Sequence, residues 1–161
     1  MPTIGPASTA HHPPPRGAGW VVWQMLLLTA LVVVAPWRHG QWPPMVSIGL
    51  GSALMLYAAW TGLAGVCQLG RNRTPSPVPR IGSELVTTGI YARLRHPLYA
   101  SMMTLGGGWA LLWSSAAGLA LAVVLTFFLH AKARYEETLL HATFPGYADY
   151  AARTPRYFSK L

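Results

Sequence analysis

The 161-residue chain is 52% hydrophobic and 10% charged, where a soluble domain carries about 25% charged residues. A short chain buries a smaller share of its surface than a long one, so a soluble core does not account for this deficit, whereas a lipid solvent does. The formal net charge of +8, from 12 Lys and Arg against 4 Asp and Glu, fits basic residues gathered in cytoplasmic loops. There are no Lys/Arg runs and the aromatics lie in apolar stretches, which points away from nucleic acid. The single cysteine, Cys67, excludes an intrachain disulfide framework and a CxxC metal site.

In chain order, residues 1–18 hold Pro13, Pro14 and Pro15 among small residues and read as a disordered cytosolic tail. The first apolar run, residues 20–35, has Gln24 and Thr29 as its polar side chains. At about 1.5 Å per residue it is short for a hydrocarbon core about 30 Å thick, unless residues 17–19 join it. Pro36 follows directly and no strong basic region precedes it, which favours an uncleaved span over a signal peptide. Trp37, Arg38 and Trp42 mark a short interfacial turn. The second span covers residues 45–66, where Ser47 and Gly51, then Ala58 and Gly62, form small-residue pairs at i, i+4 that admit a close helix neighbour.

Residues 68–96 change character. Arg71, Arg73, Arg80, Arg93 and Arg95 stand against Glu84, and Pro75, Pro77 and Pro79 forbid a regular helix. Residues 97–131 then contain no Asp, Glu, Lys or Arg, a stretch of roughly 35 residues that suits two short spans better than one. Ser114 and Ser115 fall at the turn of this helical hairpin. Charge returns from Lys132 onward. The middle loop and the C-terminal segment each hold five Lys or Arg, against Arg38 alone in the first turn, so both are expected on the cytoplasmic side with both termini inside. The predicted architecture is therefore all-α and polytopic, with about four transmembrane helices. A tail (1–18) and two helices (19–66) precede a core (67–161) whose cytosolic loop and C-terminal helical segment meet at the hairpin.

Three constellations are candidates for chemistry. Residues 89–99, Gly-Ile-Tyr-Ala-Arg-Leu-Arg-His-Pro-Leu-Tyr, lead from the loop into the third span. Pro97 suits a first helical turn, which puts His96 and the backbone before it at a helix N-terminus, a place that favours carboxylate or phosphate. The plainer reading is a basic anchor, with Arg93 and Arg95 on lipid phosphates. Glu136 and Glu137 follow the fourth span and point about 100° apart on a helix. One can pair with Lys132 or Arg134, and the other can hold a cation or a ribose hydroxyl. Tyr147 and Tyr150, three apart and followed by Arg153, Pro155 and Arg156, form either an interfacial belt or the wall of a pocket for a flat or cationic ligand. The sequence contains no HExxH, Walker loop, GxSxG or dinucleotide fingerprint. His96, His130 and His141 lack metal-ligand spacing with carboxylates, so no metal is expected. Gly106, Gly107 and Gly108 read as close helix packing or a kink.

Taken together, these residues resemble the isoprenylcysteine carboxyl methyltransferase family, within the wider membrane group that includes phospholipid N-methyltransferases. The resemblance runs from about residue 72 to residue 156. It rests on Thr74-Pro75-Ser76-Pro77, Leu85-Val86-Thr87-Thr88-Gly89-Ile90-Tyr91, Arg95-His96-Pro97-Leu98-Tyr99, Glu136-Glu137, Phe144, Tyr147, Tyr150 and Pro155-Arg156. It implies an S-adenosylmethionine site without a Rossmann domain. In that reading His96, Pro97 and Tyr99 line the cofactor pocket, Glu136 and Glu137 hold its polar parts, and Tyr147 and Tyr150 close over it. Arg95 or Arg153 contacts an acidic group of the substrate. The implied acceptor is lipidic or a small apolar molecule, reached from the bilayer, with the site facing the cytosol. Carboxylate, phospholipid amine and thiol acceptors all remain open. A nicotinamide-dependent membrane reductase and a lipid-binding scaffold are the readings from other classes. Two departures from the family pattern, Ser101 for glycine and the Phe144-Pro145-Gly146 turn, are expected to reshape the substrate entrance.

Overall fold

The computed structural model describes residues 17–70, 74–79 and 82–158, and among them it contains five α-helices and no strand. Helix α1, Gly17–Trp37, has 21 residues. Gly17 and Ala18, read from the sequence as tail, begin it, and at 1.5 Å per residue the helix reaches about 31 Å, which closes the shortfall of the apolar run alone. The rest of the expected tail lies outside the described residues. Helix α2, Pro44–Leu69, starts with proline in its first turn and stops at Gly70, whose φ of 51° suits a residue without Cβ. After a short 3₁₀ turn at Gly89–Ala92 come α3, Pro97–Leu112, α4, Ala116–Thr143, and α5, Tyr147–Arg153.

Three of these helices, α1, α2 and α4, are long and apolar enough to cross a membrane. The protein is thus a polytopic helical membrane protein. At 16 residues, α3 spans about 24 Å and forms the short arm of the predicted hairpin. Its turn falls where expected: Ser114 takes a φ of 47°, and Ser115 caps α4 by accepting the Gly118 N–H at 3.1 Å. The turn between α1 and α2 lies at the same end. The N–H groups of Gly40 and Gln41 donate to the carbonyls of Trp113 and Ser114, both at 3.0 Å, and Gln41 Oε1 accepts from the Ala116 N–H at 2.6 Å.

The closest helix pair is α2 with α3, and small residues make it so. A Cβ added at Gly51 would stand 3.0 Å from the Gly108 carbonyl oxygen, and one at Gly108 would stand 2.9 Å from that of Gly51. Ser47 and Ser114 hydroxyls meet at 3.2 Å. Ser101 Oγ donates to the Ala58 carbonyl at 2.7 Å, so this residue links α3 to α2 and is absent from the lining of the cavity described below. Leu31, Met103, Ala122, Leu125 and Leu129 form the buried seam of α1, α3 and α4.

The sequence places Glu136 and Glu137 after the fourth span. The structure instead keeps them within α4, which continues through Lys132, Arg134 and the two glutamates to Thr143. Loss of hydrophobicity ends the apolar stretch but not the helix, because Ala, Lys, Arg and Glu are strong helix formers.

Candidate active site

A cavity of about 930 Å³ opens at the end of the bundle opposite the two turns. Its walls come from elements far apart in sequence: Gln24 of α1, residues 74–79, Tyr91, Arg95, then Leu98, Tyr99 and Met102 of α3, Lys132 and Glu136 of α4, and Tyr147 and Tyr150 of α5. Its size falls in the range of about 300–1,000 Å³ common to small-molecule and cofactor sites.

The two adjacent carboxylates behave differently. Glu136 lines the cavity, and its Oε2 accepts a 2.6 Å hydrogen bond from the Tyr99 hydroxyl. Glu137 is turned into a packed ionic cluster and is absent from the lining. It accepts two hydrogen bonds from Arg156, Nε to Oε1 at 3.0 Å and Nη2 to Oε2 at 2.5 Å. Arg95 Nη2 stands 3.3 Å from Oε1, and His96 Nε2 lies 3.1 Å from the same oxygen. Neither carboxylate pairs with Lys132 or Arg134, as helical spacing alone allowed. Arg134 is exposed, and Lys132 is drawn elsewhere.

His96 reaches the cavity wall with its ring stacked on Tyr99 at 5.3 Å and 6°. Pro97 is fully buried behind it at the start of α3. The backbone before Pro97 is not open to an anion. The Arg95 and His96 N–H groups donate to the carbonyls of Pro155 and Arg156 at 2.9 and 3.0 Å, so the C-terminal segment is laid across the start of α3. Tyr150 holds the same closure, donating its hydroxyl to the Tyr91 carbonyl at 2.7 Å. Burial pushes the Tyr150 hydroxyl up to about 12, against the opposing pull of Arg95.

Two residues that line the cavity each bury a polar atom with no partner among the described residues: Tyr147 its Oη and Arg95 its Nε. Tyr147 is 1% exposed, and burial, reinforced by the nearby Glu137, holds its hydroxyl well above the usual tyrosine range, so it remains a protonated donor. Arg95 is otherwise tied down, donating Nη1 to the Ala151 carbonyl at 3.1 Å. Buried donors of this kind are rare and call for an acceptor. Arg153 lies outside the cavity, exposed, with Nε donating to the Asp149 carbonyl one turn back at 3.1 Å.

Sequence reasoning did not join Lys132 and Gln24 to the site, and it named Pro75 and Arg156 within motifs without their contacts. Lys132 and Gln24 meet inside the wall, Nζ to Oε1 at 2.6 Å, although Gln24 stood out as a polar residue in an apolar helix. Pro75 contributes its carbonyl to Lys132 at 2.8 Å. Arg156, read as part of a closing segment, supplies the bidentate contact to Glu137. Among the described residues no group of three or more His, Cys, Asp or Glu side chains is placed to hold a metal ion.

Fold and site together define a helical membrane protein with a cavity at one end of its bundle, walled in part by α5. Residues 46–146 match the family model described as phospholipid methyltransferase, and the chain belongs to that family. It is 31% identical over 144 residues to the nickel-cobalt-cadmium resistance protein NccN of Alcaligenes xylosoxydans xylosoxydans, covering 87% of this chain and 64% of that protein. It is 32% identical over 139 residues to the cobalt-zinc-cadmium resistance protein CzcN of Cupriavidus metallidurans, covering 77% of this chain and 64% of that protein. The chain thus spans a little under two thirds of the length of these curated relatives.

Proposed function

We propose that this chain is an integral-membrane methyltransferase that uses S-adenosylmethionine and methylates a lipidic or small apolar acceptor from the cytosolic side. The observation that carries the reading is the cavity wall itself. It brings the Glu136 carboxylate together with Tyr147 and Arg95, whose Oη and Nε are buried donors without a partner among the described residues. The donors complement the carboxylate of an amino-acid end, and Glu136 complements cationic or ribose hydroxyl groups. These residues fit a sulfonium nucleoside, and His96, Tyr99 and Tyr150 complete the walls around it.

When bound, the cofactor supplies a methyl group already activated by positively charged sulfur, so positioning and exclusion of water dominate what the protein must do. Tyr99 fixes the Glu136 carboxylate through its 2.6 Å hydrogen bond. The cluster of Arg95, His96 and Arg156 on Glu137 fixes the wall behind it, and the Pro155 and Arg156 carbonyls seal the start of α3. A carboxylate acceptor is ionised at neutral pH and needs no base, which favours it mildly over a phospholipid amine or a thiol.

The test is transfer of labelled methyl from S-adenosylmethionine into a membrane extract, with mass identification of the product. The expected outcome is label in an organic-soluble acceptor. No labelled product, together with no binding of S-adenosylhomocysteine to the purified chain, overturns the reading.

A further inference from the structure

Lys132 takes no part in the proposed cofactor site, yet it buries a charged side chain in the cavity wall. It lies on α4 one turn before Glu136 and is 1% exposed. Its ammonium carries three donors. Two go to neutral oxygens, Gln24 Oε1 at 2.6 Å and the Pro75 carbonyl at 2.8 Å, and Nζ also sits 5.5 Å from the centre of the Tyr99 ring. The ion pairs among the described residues all run to Glu137. Glu136, one turn on, is the nearest counter-charge but does not touch Nζ, so the third donor of this buried ammonium has no oxygen of its own.

Gln24 presents the same imbalance. It is 7% exposed within an otherwise apolar run, and its Nε2 donor reaches the Met102 sulfur at 3.4 Å, a weak acceptor. Lys132, Gln24 and Met102 all line the cavity, with Leu98 beside them. One end of the cavity, against α1, therefore holds underused donors next to apolar side chains.

We infer that Lys132 and Gln24 form an oxyanion subsite that takes the carboxylate or phosphate of an apolar-tailed molecule and so selects the methyl acceptor. The acceptor role rests on the methyltransferase reading, whereas the binding of an oxyanion does not. The competing role for Lys132 is purely structural, pinning residues 74–79 over the cavity through Pro75.

The two roles separate in a binding ratio. The purified full chain in neutral detergent is titrated with decanoate, decyl phosphate and decanol, and tryptophan fluorescence reports binding. At least one acid is expected to bind about tenfold tighter than the alcohol, the effect of one hydrogen bond to a charged group. The acid that binds tighter tells a fatty-acid source from a phospholipid one. Lys132→Met is expected to bring the ratio of acid to alcohol affinity close to one, Lys132→Arg to keep most of it, and Gln24→Leu to lower it. Equal binding of acids and alcohol by the unaltered chain overturns the inference. So does a Lys132→Met variant that weakens acid and alcohol alike, the signature of a loop anchor. Should Lys132→Met not fold, Gln24→Leu decides, and an unchanged ratio there overturns the inference. S-adenosylhomocysteine affinity is measured on the same samples. If the unaltered chain prefers acids but does not bind S-adenosylhomocysteine, the methyltransferase reading falls and the subsite stands.

Discussion

Neighbouring residues on a helix point about 100° apart, and at Glu136 and Glu137 this angle separates a cavity wall from a packed ionic cluster. Glu137 meets Arg95, His96 and Arg156, so Glu137→Gln leaves buried cations without their counter-charge. Removing one partner of a buried pair costs ~3 kcal/mol, and a clear fall in Tm in detergent is expected. Glu136→Gln should instead leave Tm nearly unchanged and weaken S-adenosylhomocysteine about tenfold, the effect of losing a charged hydrogen-bond acceptor. Equal destabilisation by the two variants would show that the division of labour is wrong. Tyr147→Phe provides a third contrast. Its buried hydroxyl has no partner among the described residues, so removing it should leave Tm equal or higher while S-adenosylhomocysteine affinity falls; calorimetry and titration on one preparation check both. The sequence could not make these distinctions. Tyr147 and Tyr150 are equivalent by spacing, yet Tyr150 donates to the Tyr91 carbonyl and Tyr147 does not. Arg153 and Arg156 are equally basic, yet it is Arg156 that reaches Glu137.

Helices pack as closely as their smallest facing residues allow, and the α2–α3 pair shows this position by position. Gly51 and Gly108 each face the other's carbonyl oxygen, and backbone atoms cannot yield as the tip of a side chain does. Gly108→Ala therefore forces α2 and α3 apart and should lower Tm in detergent. Gly107→Ala, with nothing within 4 Å of the added Cβ, should be neutral or stabilising by up to about 1 kcal/mol from helix propensity. If the two alanine variants melt alike, close packing at Gly51 and Gly108 does not hold the hairpin against α2. Elements of this kind were largely legible in the sequence. Apolar run lengths gave the helices, the Ser114–Ser115 turn divided the long apolar stretch, and the small pairs on α2 announced a close neighbour. Boundaries were less legible wherever polarity and helicity part company. Gly17 and Ala18 are helical although they look like tail, and α4 runs on past its apolar segment through Lys132 to Thr143.

At the scale of the molecule, the site exists because segments far apart in sequence meet at one end of the bundle. Gln24 touches Lys132, and the Pro155 and Arg156 carbonyls lie on the Arg95 and His96 amides. Spacing along a chain carries no record of such meetings, which is why the motif residues could be named from sequence while Lys132 and Gln24 could not be joined. The same assembly brings Arg95 of the middle basic segment and Arg156 of the C-terminal one together at one end, and the turns holding Arg38 and Ser114 lie at the other. Basic segments stay on the cytoplasmic side during insertion, so the cavity should open to the cytosol. Two single-cysteine chains test this. Both carry Cys67→Ser, and one adds Ala148→Cys on the exposed face of α5 while the other adds His39→Cys in the exposed first turn. A membrane-impermeant maleimide should label the position-148 chain in inverted vesicles and not in intact cells, with the reverse pattern at position 39. Labelling of position 148 from outside intact cells would place the cavity on the opposite face. A cofactor made in the cytosol could not then reach Glu136 and Tyr147 directly, so this one measurement bears on the proposed chemistry as well as on the topology.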